Sequence, residues 1–222
     1  MSEGFPRAEV ERDLRAAVGE LSSGEPPVDA LVDYLALLHR WNRAFNLSAV
    51  REPREMVTRH LLDSLTPLPY LEGEQLLDVG TGAGLPGIPL ALCRPELRVT
   101  LLDTNGKKVR FLRQAVAELP LPNVSVVGTR VEQWHPEQRF DTIIARAYAR
   151  LDGFVADTAH LLAPGGQLLA MKGRFDANAE AAQLPPDWHY TVKPLEVPGL
   201  DATRTLVCVR HEAEAIDGDH HG

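Results

Sequence analysis

The chain has 222 residues, 44% hydrophobic and 24% charged, enough for one α/β domain with a sizeable core and a small helical extension. Its formal net charge of −8 argues, taken whole, against a nucleic-acid partner. The acids, however, gather in the tails. Residues 1–29 carry seven acids against three arginines, residues 211–222 carry four acids and no Lys or Arg, and the body 30–210 holds 20 of each sign. The first ten residues lack an apolar core, and no run approaches the roughly 18 apolar residues of a membrane span, so neither a secretory signal nor a membrane segment is expected and the cytoplasm is the expected compartment. Cys93 and Cys208 are far apart in apolar segments and read as reduced core thiols rather than a disulfide or a metal pair.

In chain order, residues 7–21 show weak helical periodicity. After Pro26-Pro27, Leu31, Tyr34, Leu35, Leu38, Trp41 and Phe45 follow helical spacing, with Asp29 as the expected N-cap. A further helix is expected over residues 53–64, with Met56, Val57, His60 and Leu61 on one side, and no strand precedes Gln75. From there short apolar runs at 75–79, 99–102, 124–127, 142–145, 167–171, 190–192 and 205–209 alternate with helical segments at 87–93, 107–119, 151–162 and 177–184. Such alternation implies a mainly parallel sheet covered on both faces. Pro164-Gly165-Gly166 is expected to be a turn feeding the fifth strand, and the polar tail after Arg210 is expected to fray.

The strongest chemical signal is the stretch from Leu77 to Gly87, Leu-Asp-Val-Gly-Thr-Gly-Ala-Gly-Leu-Pro-Gly, which leaves a buried strand and opens a helix. That is the setting of a nucleotide-binding glycine loop, in which glycines allow a tight turn and close approach of backbone to ligand. It singles out Gly80, Thr81, Gly82, Gly84 and Leu85. Asp103 ends the second strand 23 residues after Gly80, near the roughly 20-residue offset at which an acid receives ribose hydroxyls. Spacing alone leaves NAD open, because the glycines at 82, 84 and 87 also satisfy the dinucleotide pattern. Two features favour S-adenosylmethionine: the acidic Asp78 before the first glycine, and two strands after the fifth with no room for a dehydrogenase substrate domain. Val131 and Glu132, after the third strand, stand where methyltransferases commonly hold the adenine edge. Arg146, just beyond the fourth strand, is expected to face cofactor and substrate. That place reads Ala145-Arg146-Ala147-Tyr148, without the Asn/Asp-Pro-Pro-aromatic motif of many amine methyltransferases. No cysteine sits where a pyrimidine-carbon methyltransferase needs its nucleophile, and no His/Cys cluster suggests a metal. What remains is an acceptor that already has a free lone pair.

With these residues in place, the chain resembles the bacterial small-subunit (16S) ribosomal RNA guanine-N7 methyltransferase family, also called glucose-inhibited division protein B, from about Leu35 to Val209. The blocks that carry the resemblance are Trp-Asn-Arg-Ala-Phe-Asn-Leu at 41–47, Arg-His-Leu-Leu-Asp-Ser at 59–64, the glycine stretch from Asp78 to Pro89, Gly-Lys-Lys-Val-Arg-Phe-Leu at 106–112, and Ala145-Arg146-Ala147. The resemblance implies a class I methyltransferase fold: a Rossmann-like, seven-stranded, mainly parallel sheet with an N-terminal helical extension. The expected division is extension 1–72, methyltransferase domain 73–210 and acidic tail 211–222. It also implies S-adenosylmethionine as cofactor, S-adenosylhomocysteine as product, and cofactor contacts at Gly80, Leu85, Val131, Glu132 and Arg146. The implied reaction is in-line attack of guanine N7 with no general base, since N7 is unprotonated at neutral pH and catalysis reduces to positioning and electrostatics. On this reading Arg146 orients the guanine or a phosphate, Asn46, Arg59, His60 and Asp63 form the opposite wall, and Lys172 and Arg174 meet phosphates. The expected partner is ribosomal RNA or an assembling subunit, met by a monomer without metal. The alternatives are a methyltransferase for a small molecule or protein, an NAD-linked reductase, and a non-catalytic protein that keeps the cofactor fold.

Overall fold

The computed structural model of the chain describes residues 4–18, 26–146, 148 and 150–212. Helix α1 (Arg7–Val18) buries Val10, Leu14 and Val18, one residue per turn, and α2 (Val28–Phe45) buries Leu31, Tyr34, Leu35 and Leu38 along one stripe. Asp29 is not the N-cap of α2. Pro27 occupies that position and Val28 already begins the helix, so Asp29 falls in the first turn. There its charge faces the positive helix end and pairs with Arg15 at 3.3 Å. Helix α2 ends on Asn46 in the left-handed conformation, φ 51°. The helix expected over 53–64 forms with a widened middle: α3 (Pro53–Met56) passes into a π-helical turn (Val57–Leu62) and leaves as α4 (Asp63–Leu65). Such turns are uncommon and gather at functional sites.

The rest of the chain alternates as expected: β1 (Gln75–Val79), α5 (Gly87–Cys93), β2 (Arg98–Leu102), α6 (Gly106–Glu118), β3 (Val124–Val127), β4 (Phe140–Arg146), α7 (Leu151–Thr158), β5 (Leu162–Lys172), α8 (Ala177–Glu180), β6 (Trp188–Leu195) and β7 (Arg204–His211). The strands form one seven-stranded sheet in the order β3-β2-β1-β4-β5-β7-β6. All pairs are parallel except those of β7, which runs antiparallel to β5 and β6. Strand periodicity sorts the core into two faces. Leu76, Leu101, Ile144, Leu169 and Leu206 join the cluster of α1, α2, α5 and α6, whereas Leu77, Leu102, Ile143, Leu168 and Val207 join Phe154 and Val155 of α7. Each such buried side chain contributes about 1.5–3 kcal/mol.

The expected elements differ from the observed ones where side-chain pattern is a poor guide. β5 begins at Leu162, opposite Phe140, and its register shifts before Thr142 pairs with Gln167. Pro164-Gly165-Gly166 is therefore an irregular stretch inside the strand rather than a turn before it, with Gly165 at φ 74°. The expected helix 177–184 contracts to α8, none of whose residues is buried, so no apolar face holds a longer helix against the sheet. β6 runs eight residues, longer than 190–192, because its pairing with β7 continues where both of its faces are exposed and hydropathy carries no signal. Helix 151–162 ends early, in a 3-10 turn (Ala159–Leu161). Residues 19–21 of the first expected helix, Ala147, and the tail from residue 213 lie outside the described residues.

The turn after β1 is tightly packed. Gly84 has φ +88°, and a Cβ there would lie 2.4 Å from Ile88 Cδ1. Gly84→Ala is expected to destabilise the fold by about 1–3 kcal/mol through combined strain and overpacking. A lowered urea midpoint with unchanged m-value is the expected result; an unaltered midpoint would show that the loop relaxes without cost.

Candidate active site at the carboxyl ends of β1, β2 and β4

Strand order reverses between β1 and β4, and open α/β sheets take ligands in the crevice outside the carboxyl ends at such a point. The glycine loop leaves β1 there, and its amides turn inward. The N–H groups of Gly80 and Thr81 donate to the Leu102 carbonyl (2.8 and 3.1 Å), that of Gly82 to Asp103 Oδ2 (2.9 Å), and those of Gly84 and Leu85 to the Thr81 carbonyl (3.0 Å each). A pyrophosphate site needs amides aimed at the ligand; these five are already engaged.

Two buried carboxylates lie in the same place. Asp78 Oδ2 accepts from the Thr81 hydroxyl and from the Gly87 N–H at 2.8 Å, while Oδ1 is buried without a partner among the described residues. Burial pushes this acid up to about 6. Asp103 Oδ1 accepts from the Asn105 N–H at 2.8 Å, and Lys108 Nζ stands 3.7 Å from its Oδ2. A Cβ built on Gly80 would touch nothing within 4 Å, so open space borders the backbone. An acid-lined cradle with its amides engaged and an orphaned carboxylate oxygen fits a cationic nucleoside such as S-adenosylmethionine, and would repel a pyrophosphate. Electrostatics thus resolves what glycine spacing leaves open.

Beside the loop opens a cleft of about 460 Å³ whose lining includes Arg59, His60, Asp63, Arg146, Lys172 and Arg204. Arg146 is the last residue of β4 rather than the first beyond it. Asp63, 4% exposed, receives Arg204 Nε at 2.7 Å on Oδ1 and faces Arg146 Nη1 at 3.6 Å with Oδ2. His60 is also buried. Its Nδ1 lies 3.0 Å from the Arg59 carbonyl, which can only accept, so Nδ1 carries the proton and Nε2 accepts from Ser48 Oγ at 2.8 Å. Burial first, and the Arg146 charge second, lower the His60 pKa to about 4.

The other anticipated residues are more scattered. Val131 is buried and Glu132 exposed in the 3-10 turn (Val131–Gln133) after β3. Asn46 is exposed, its Oδ1 accepting from Arg51 at 2.7 Å. Arg59 is exposed at the cleft and Arg174 beyond β5. Lys172 is buried; its Nζ donates to the Tyr148 carbonyl at 2.5 Å and pairs with Glu180. Sequence reasoning missed Arg204, which reaches Asp63 across 141 positions. It also missed a role for Tyr34, whose hydroxyl donates to the Ala83 carbonyl at 2.7 Å; its spacing marks it only as a core position. Among the described residues no cluster of His, Cys, Asp or Glu could hold a metal, and no helix is long and apolar enough to cross a membrane.

Comparison with known proteins agrees with this geometry. Residues 28–207 match the family described as GidB, rRNA small subunit methyltransferase G. The chain is 53% identical over 188 residues to the ribosomal RNA small subunit methyltransferase G of Alkalilimnicola ehrlichii, covering 84% of this chain and 85% of that protein. It is 51% identical over 204 residues to the protein of the same name from Xanthomonas oryzae pv. oryzae, covering 91% and 94%. Among solved structures, a SAM dependent methyltransferase from Aquifex aeolicus matches with a TM-score of 0.54 at 17% identity, over 74% of this chain and 96% of that one. A precorrin-6y C5,15-methyltransferase from Geobacter metallireducens gives 0.52 at 16%, over 74% and 91%. At such identities the structural likeness speaks for the fold alone, which is the class I methyltransferase sheet. The chain belongs to the rRNA small subunit methyltransferase G family and is an S-adenosylmethionine-dependent methyltransferase.

Proposed function

We propose that the chain transfers a methyl group from S-adenosylmethionine to N7 of a guanine in small-subunit ribosomal RNA. The observation that carries this reading is the commitment of the cleft's proton acceptors. His60 already accepts from Ser48, and Asp63 is held between two arginines. An acceptor that must lose a proton would need a free base within hydrogen-bond reach. Guanine N7 offers an in-plane lone pair and needs none.

When bound, the cofactor supplies an electrophilic methyl carbon on a positively charged sulfur. In this reading Asp103 receives the sugar hydroxyls, Gly80, Thr81, Gly82, Gly84 and Leu85 form the close-fitting backbone wall, and Val131 and Glu132 hold the adenine edge. Arg146 orients the guanine or its phosphate, with Asp63 steadying it, and Asn46, Arg59, His60 and Asp63 make the facing wall. The guanine becomes positive as it is methylated, so a neutral His60 spares the product an extra like charge. Exposed Arg59 and Arg174 meet phosphates. Lys172, bonded to the Tyr148 carbonyl and Glu180, holds the segment after β4 that borders the acceptor. Residues 1–72 serve as the acceptor-side extension and 73–210 as the cofactor domain. The chain works as a cytoplasmic monomer on RNA or an assembling subunit and releases S-adenosylhomocysteine.

Incubation with radiolabelled S-adenosylmethionine and undermethylated ribosomal RNA is expected to place label in 7-methylguanosine of the small-subunit RNA. Label in another nucleoside, or only in protein or small molecules, would defeat the reading. Arg146→Ala is expected to lower turnover by about 10²-fold through lost positioning; turnover at the wild-type rate would remove Arg146 from the mechanism. His60 gives a pH signature. Its folded pKa lies below the ordinary value near 6.5, so its contribution is complete above about 6.5 and is lost as pH falls toward about 4. Between pH 7 and 5 the wild type should therefore lose about 2 kcal/mol more than His60→Gln in urea unfolding, and parallel losses would show that His60 titrates normally.

A further inference from the structure

The glycines that let the loop approach a ligand also free its backbone to turn, so each of its peptides depends on hydrogen bonds to keep its orientation. Reorienting the peptide between Ala83 and Gly84 needs only ψ of Ala83 and φ of Gly84, and glycine accepts either sign of φ. That peptide is pinned on both sides. Its N–H donates to the Thr81 carbonyl at 3.0 Å, and its C=O, at Ala83, accepts from the Tyr34 hydroxyl at 2.7 Å. Tyr34 is fully buried and Ala83 nearly so, so water has no access to replace the donor.

Tyr34 itself sits on rigid support. Its ring lies in the apolar cluster with Leu31, Leu35 and Leu38 of α2. Helix α2 is braced on α6 by the Trp41–Phe111 edge contact at 5.7 Å and the Arg40–Glu118 pair at 3.0 Å. Burial holds the phenol protonated far above neutral pH, so it remains a donor throughout the working range.

We propose that Tyr34 is a positioning residue for the cofactor: its hydroxyl, supplied from the helical extension, fixes the glycine loop in the conformation that cradles S-adenosylmethionine. The proposal rests on the reading of residues 80–84 as the cofactor cradle.

Tyr34→Phe keeps the ring and removes only the O–H. In calorimetric titration of the full chain with S-adenosylhomocysteine, its affinity is expected to fall about tenfold, the scale of one buried carbonyl left without its donor. KM for S-adenosylmethionine should rise by the same factor, while kcat at saturating cofactor stays within about twofold. Leu14→Ala, in α1 and within the same cluster, controls for general destabilisation: it should lower Tm and leave affinity unchanged. Unchanged affinity in Tyr34→Phe, or an equal loss in Leu14→Ala, overturns the proposal. Asp103→Ala separates the two readings. Normal binding by Asp103→Ala overturns the cradle itself, and the role of Tyr34 with it. Weakened binding by Asp103→Ala but not by Tyr34→Phe overturns the role of Tyr34 alone.

Discussion

A carboxylate buried at the end of β1 ties that strand to the helix after it, and the site takes its form from this tie. Asp78 Oδ2 holds the Thr81 hydroxyl on the loop and the Gly87 N–H at the start of α5. The approach is so close that a Cβ on Gly87 would come 2.7 Å from Asp78 Oδ2 and 2.3 Å from Leu101 Cδ2. Only glycine is admitted there. Keeping an anion in this position is unfavourable: raising the acid from its ordinary range to about 6 corresponds to roughly 3 kcal/mol against the charged form. The sign follows from a raised folded pKa. The group favours the fold most at acid pH and loses that contribution as pH rises through about 6. A second carboxylate, Asp103, adds negative potential beside it, and together they make the loop a place where positive charge is welcome.

The opposite side of the crevice has the reverse character. Arg59, Arg146 and Arg204 line the cleft around the single buried carboxylate of Asp63. Distance ranks its two partners. Arg204 makes a hydrogen-bonded ion pair at 2.7 Å, whereas Arg146 at 3.6 Å is beyond hydrogen-bond length and keeps only the Coulomb attraction. Arg204 therefore fixes Asp63, and Arg146 is the more easily redirected guanidinium. It ends β4 beside the glycine loop and lines the cationic cleft.

What the sequence made legible was what local chemistry determines. Short apolar runs marked the β1–β5 interior, which is buried on both faces, and the glycine loop and Asp103 could be paired because a βα turn and the tip of the next strand are neighbours in every such sheet. The sites that escaped depend on topology. Tyr34 meets Ala83 across 49 positions and Arg204 meets Asp63 across 141, and no spacing rule links residues whose proximity comes from helix docking and from β7 inserting beside β5. Local misreadings had local causes. Asp29 is an excellent N-cap type, yet Pro27 caps α2 two residues earlier. β6 shows no alternation because the residues between Trp188 and Leu195 are exposed on both faces.

The N-terminal helices are accordingly packed into the body of the fold rather than appended to it. They share one apolar cluster with a full face of the sheet, and they deliver Tyr34 to the loop and His60 and Asp63 to the cleft. The π-helical turn makes the second delivery compatible with the first. In Val57–Leu62 four residues, Val57, His60, Leu61 and Leu62, are buried together, more than the apolar stripe of a regular surface helix accommodates. Widening the turn lets Val57, Leu61 and Leu62 anchor the segment in the core while His60 and Asp63 remain at the cleft wall and Arg59 stays exposed. The same stretch thus packs as core and lines the cleft.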